Sequence, residues 1–162
     1  MTSRPLSGDL PMLGVFVAAV ALVAFSGSML TPAVDPVWYA GLRKPSFNPP
    51  NWVFGPVWTV LYILIAVSAW LVWRRAGWAD GRRALLWWLA QLALNAAWTP
   101  VFFGAHLLGL ALIVIVGLLV AIIGTILAFR RHHTLAAAML LPYLAWVAFA
   151  TVLNAGIWRL NG

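Results

Sequence analysis

The chain has no cysteine, so a disulfide framework, a thiolate nucleophile and iron–sulfur ligation are all excluded. Acid is almost as scarce: Asp9, Asp35 and Asp80 are the 3 carboxylates, against 10 Lys and Arg. Charged residues make up only 8% of the 162 residues, and hydrophobic ones 64%. A soluble domain of this length has no interior large enough to hide that much apolar surface. The composition therefore predicts an integral, multi-pass membrane protein. The excess of cations does not point to nucleic acid. The cations sit where apolar segments end and form no continuous basic face.

Charge is also missing from the apolar runs themselves. Ion-coupled pumps, transporters and voltage sensors rest on intramembrane charges, so an energised transporter is disfavoured. The histidines do not assemble a ligand set. His132 and His133 are neighbours and cannot share a helix face, and His106 stands at a turn. All three are expected at the interface, with no metal site and no resident cofactor.

What remains is a set of long apolar segments. A spanning helix needs about 20 mainly apolar residues. The uncharged run Leu10–Val34 is longer than a signal-peptide core, so it is read as a retained helix. Residues 84–129 would make a single helix of about 69 Å, roughly twice the hydrocarbon thickness. The run must fold back, and Gly104-Ala105-His106 is the break. The expectation is an all-α membrane protein: a five-transmembrane-helix bundle forming one domain over 1–162. Its helices fall near 11–30, 53–73, 83–103, 106–129 and 134–158, with a lid loop at 31–51. Arg4, Arg74, Arg75, Arg82, Arg83, Arg130 and Arg131 lie on one side, and Arg43, Lys44 and Arg159 on the other. The balance predicts the N-terminus inside and the C-terminus outside.

The lid carries the stretch GLRKPSFNPPNWVFGPVW, residues 41–58. Its prolines restrict the backbone and reduce the entropy lost on ordering. A long but stiff connection more often serves a function than merely joins helices. Below it, polar and aromatic residues fall on single helix faces. Gln91, Asn95, Trp98 and Phe102 form one stripe. Pro142, Trp146, Ala150 and Asn154 form another with Leu153 beside it, and Phe54, Trp58, Leu61, Tyr62 and Ile65 a third. Amides facing lipid would be unsatisfied, so the stripes should turn inward. At 1.5 Å per residue, Trp58 and Trp98 lie about 7 Å, Asn95 about 12 Å and Trp146 about 18 Å below the outer surface. These groups would border one cavity under the lid, with Arg43 and Lys44 as its cationic rim. Spacing leaves two roles equally open for Asn95 and Asn154, as cross-helix glue or as ligand contacts. An aromatic belt accounts for Trp38, Trp52, Trp73, Trp78 and Trp158. It does not account for Trp146 at mid-membrane.

The segments WYAGLRKPSFNPPNWVFGPVWTVLY, QLALNAAWTPVFFGAH and LLPYLAWVAFATVLNAGIWRLN run in order through residues 38–161. Together they resemble the TspO/MBR family of tryptophan-rich sensory and translocator proteins, also called peripheral-type benzodiazepine receptors, in its bacterial form. The resemblance implies a bundle, often a homodimer, that binds porphyrins such as protoporphyrin IX, sterols, and isoquinoline or benzodiazepine drugs. It implies ligand contacts at Tyr39, Phe54, Trp58, Asn95, Trp98, Trp146, Ala150 and Leu153. It also implies light-dependent porphyrin breakdown, with Trp58 and Trp146 as the participating residues. In the C-terminal sterol motif of animal members a tyrosine is required where this chain has Ala155. A formal sterol-motif match stands instead at Val37, Tyr39 and Arg43. A receptor or sensor of tetrapyrroles is the leading expectation, followed by a photochemical enzyme and then a passive transporter.

Overall fold

A computed structural model describes residues 6–30 and 36–162. Arg4 and the first part of the lid, 31–35, lie outside the described residues. The elements are α1 (Leu6–Leu30), α2 (Pro36–Gly41), α3 (Asn51–Thr99), a π-helical turn (Pro100–Gly104), α4 (Leu108–Arg130), α5 (Thr134–Ala138) and α6 (Leu141–Asn161). No strand occurs among the described residues. Four helical stretches are long and apolar enough to cross a membrane. The longest of them, which contains α3, doubles back on itself, so five rods make up the bundle.

The doubling back is a single-residue event. Helical pattern continues on both sides of Gly77, which sits at φ 66°, ψ −164°, a region that essentially only glycine occupies. The Trp88 indole N–H donates to the Ile65 carbonyl at 3.1 Å, and the Tyr62 hydroxyl donates to the Asn95 carbonyl oxygen at 3.1 Å. Both pairs are nearly symmetric about Gly77, so the limbs 51–76 and 78–99 run antiparallel. Each limb is about 33–39 Å long, enough to cross the hydrocarbon. The charged stretch 74–83, which reads as a loop in the sequence, is thus helical apart from one residue. Alanine and arginine are good helix formers, and only Gly77 has to leave helical geometry.

The second reversal follows Pro100–Gly104. The Ala105 N–H reaches back to the Pro100 carbonyl at 2.8 Å, and His106 takes φ 57°. The Trp38 ring stacks on His106 at 3.8 Å between centroids and 13° between planes. That contact secures a left-handed backbone that a non-glycine residue adopts at a cost of about 1–3 kcal/mol. His133, by contrast, acts locally. Its Nδ1 accepts the Ala136 N–H at 3.3 Å and caps α5.

The first helix already includes Leu6, earlier than the apolar run alone indicates, and so takes Asp9 into the bundle. Asp9 is buried, and its carboxylate meets the Arg74 guanidinium at 2.8 Å. Trp70 ties the two together: its indole N–H donates to the Asp9 carbonyl, and Arg74 lies 4.9 Å over its ring. The pair lies just beyond the uncharged runs 11–30 and 53–73, at the helix ends where the cations gather.

The main core packs α1, both limbs of α3, α4 and α6, with Phe16 edge-on to Trp88 at 5.3 Å. Trp88 is buried while its neighbour Trp87 is exposed. A second cluster at the lid end gathers Phe102, Leu108, Ala111, Leu153 and Ile157 under α2. Around them the surface is apolar, as with Ile63, Ile113 and Val120, while Ser68, Gln91, Asn95, Thr125 and Asn154 are buried. Polar groups inside and aliphatic ones outside are what a hydrocarbon solvent requires. The protein is an integral membrane helical bundle.

Candidate functional site

The buried amides form a hydrogen-bonded chain. Tyr62 donates to the Asn95 carbonyl oxygen, the Asn95 amide donates to the Tyr143 hydroxyl at 2.9 Å, and Tyr143 donates to the Gln91 carbonyl oxygen at 2.9 Å. The chain joins both limbs of α3 to α6. The amide nitrogen of Gln91 is buried at its end with no hydrogen-bond partner among the described residues. Nearer the lid, the Trp98 indole donates to the Asn154 carbonyl oxygen at 3.1 Å, and the Asn154 amide donates to the Leu108 carbonyl at 3.0 Å. In this state both asparagines join helices together, which is the first of the two roles open to them in the sequence.

Two groups of aromatic contacts lie on these helices, one of them on the polar chain itself. Trp58 stacks on Tyr62 at 5.2 Å and meets Tyr143 edge-on at 6.2 Å. Phe54 and Trp146 contact edge-to-face at 5.7 Å, and Trp146 lies 5.6 Å from Phe149. Trp58, Trp146 and Ala150 therefore pack with the main core, whereas Tyr39, Phe54 and Leu153 pack with the lid-end cluster. Trp98 belongs to both.

An apolar groove of about 640 Å³ opens between the first limb of α3 and α6. Pro56, Val57, Val60 and Leu61 form one wall, and Pro142, Ala145, Trp146 and Phe149 the other. Of the residues singled out by spacing, Leu61, Pro142 and Trp146 line this groove; of the ligand contacts implied by the resemblance, Trp146 alone does. The others fill one another's space.

The lid is seated on α6. The Arg43 backbone N–H donates to the Asn161 carbonyl oxygen at 2.9 Å, and the Asn161 amide donates back to the Arg43 carbonyl at 2.9 Å. Pro45 packs so closely on Gly156 that an added Cβ there would lie 2.6 Å from its Cγ. Phe47 faces Phe149 at 6.3 Å. The Lys44 ammonium donates to the Tyr39 carbonyl and lies 4.3 Å over the Tyr39 ring. Tyr39 in turn packs on Phe103 at 5.5 Å. The Arg43 side chain is exposed at the lid end.

Sequence reasoning did not identify the Asn161 clamp, the Tyr143 node or the Trp38–His106 stack. Tyr143 sits beside the α6 stripe, which was its only sequence signal. Asn161 and His106 act through partners distant in sequence and left none. No cluster of three or more His, Cys, Asp or Glu that could hold a metal occurs among the described residues.

The TspO/MBR family model matches residues 16–159. The chain is 42% identical over 145 residues to the tryptophan-rich protein TspO of Archaeoglobus fulgidus, covering 90% of this chain and 94% of that one. It is 43% identical over 153 residues to the human translocator protein, covering 93% and 90%. It is 39% identical over 153 residues to the tryptophan-rich sensory protein of Cereibacter sphaeroides, covering 94% and 93%. With a match over nearly its whole length and relatives of this identity, the chain belongs to the TspO/MBR family.

Proposed function

We propose that the protein is a membrane receptor for tetrapyrroles, with protoporphyrin IX as the reference ligand, bound between α3 and α6 beneath the lid. The observation that supports this most is the position of Trp146. It is at once a wall of the apolar groove, a partner of Phe54 and a residue packed against the main core. A porphyrin is a broad apolar plate, suited to indole and phenyl faces. Its propionates would meet Arg43 and Lys44 at the rim, the ammonium leaving the Tyr39 ring to do so. The Gln91 amide nitrogen, buried away from the groove lining without a partner among the described residues, would become a donor to the ring edge once the intervening side chains part. No histidine borders the groove, so axial ligation of iron has no donor there and the metal-free ring is the better fit. A groove of this volume falls within the usual range for small-molecule sites. The sensory and translocator names of the relatives are consistent with a receptor role.

The proposal extends to one domain over 1–162, a homodimer, the N-terminus inside and the C-terminus outside. Isoquinoline or benzodiazepine drugs and sterols would compete for the same space. Ala155 weakens the case for sterol at the C-terminal motif. Titration of intrinsic tryptophan fluorescence with protoporphyrin IX tests the reading, with cholesterol and an isoquinoline drug as competitors. Saturable quenching that the drug reverses is expected; quenching that rises linearly without saturation contradicts it.

Light-dependent degradation of the bound ring is a second reading, favoured by the contact of Trp58 with Tyr62 and Tyr143 beside the groove. Under illumination in air, porphyrin fluorescence should decay more slowly in Trp58→Phe and Trp146→Phe. Decay at the unchanged rate in both removes the catalytic role.

A further inference from the structure

A second cleft, of about 440 Å³, lies at the other end of the bundle, between the second limb of α3 and the end of α4. Its lip is polar: Arg83, Arg131 and His132, with one carboxylate, Asp80. Arg83 and Arg131 are both exposed, and neither is in an ion pair among the described residues. Deeper in, the lining turns apolar with Trp87, Gly124 and Leu127. Trp87 lies roughly 6 Å below Arg83 along its helix, and Gly124 about 10 Å below Arg131. Gly124 is what lets the indole lie flat on α4, because an added Cβ there would come within 2.7 Å of the Trp87 ring. The cleft therefore has cations at the headgroup level and an apolar furrow running into the hydrocarbon.

We propose that this cleft binds an anionic phospholipid, its phosphate between Arg83 and Arg131 and one acyl chain along Trp87 and Leu127. Basic pockets between membrane helices on the cation-rich side suit such headgroups. A free phosphate would use the lip and gain nothing from the furrow. A zwitterionic lipid would use the furrow but bring its own cation to two guanidinium groups. Local charge also favours the anion, since Arg75, Arg82 and Arg130 stand at the same end while the Asp9 carboxylate is already taken by Arg74.

The test is native mass spectrometry of the full chain, equilibrated in detergent with equal amounts of phosphatidylglycerol and phosphatidylcholine bearing the same acyl chains. The cleft predicts retention of phosphatidylglycerol by about tenfold over phosphatidylcholine, undiminished by millimolar inorganic phosphate. The Arg83→Gln/Arg131→Gln double variant should lose that preference. Arg82→Gln/Arg130→Gln, with the same change in net charge but outside the cleft, should keep it. Equal retention of the two lipids overturns the proposal, as does equal loss in both double variants. Displacement by inorganic phosphate would reduce the site to an anion site and overturn the acyl component. Dissociation of a dimer in the Arg83/Arg131 variant would assign the cleft to a second copy and overturn it as well.

Discussion

Asn95 shows how much a single intramembrane amide does. It accepts from Tyr62 and donates to Tyr143, so both α3 limbs and α6 meet at one side chain. Hydrogen bonds between membrane helices average about 0.6 kcal/mol and reach about 1.7. Asn95→Ala should therefore lower stability against SDS denaturation by about 1–2 kcal/mol, and Asn95→Gln should lose less. At residue scale the sequence indicated which faces carry the polar groups, because a period of 3.6 is a local property. It held nothing on which tyrosine each amide meets, because that depends on the register between helices. The pairing of Asn95 with Tyr143 was legible only once α6 was placed beside α3.

At the scale of elements, the lid and the short α5 each have a physical test. Asn161 clamps the Arg43 backbone and Gly156 receives Pro45, so the lid depends on the last turns of α6. Asn161→Ala should free the lid, raising proteolytic cleavage near residue 44 and the off-rate of bound porphyrin about tenfold, for a loss of roughly 1–2 kcal/mol. Gly156→Val should act in the same direction by forcing Pro45 away. In α5, burial first and the charge of Arg75 second push the His133 imidazole below its usual range. Its neutral Nδ1 is the cap acceptor. The unfolded chain therefore binds the proton more readily. The cap's contribution is fully present above about pH 6.5, and it is lost as pH falls from there through the folded-state value. Thermal unfolding in detergent should show a drop as pH falls below about 6.5 that His133→Asn abolishes. The rods themselves were legible as uncharged runs of spanning length. The sharp reversal at Gly77 was not, because a charged stretch with two glycines reads equally well as a loop.

For the whole molecule, the bundle is built with polar groups inside, aliphatic side chains outside and most of its cations at one end. An aromatic cluster under a seated lid occupies the opposite end. The most direct test of a tetrapyrrole receptor is the equilibrium affinity for protoporphyrin IX of the purified protein and its tryptophan variants, measured by porphyrin fluorescence in the dark. Trp58→Phe and Trp146→Phe should each weaken binding by about tenfold, the scale of one lost aromatic contact of ~1.5 kcal/mol. Trp52→Phe and Trp158→Phe, at the exposed helix ends, should leave it unchanged. Affinity that is equal across all four variants would contradict a binding site between α3 and α6.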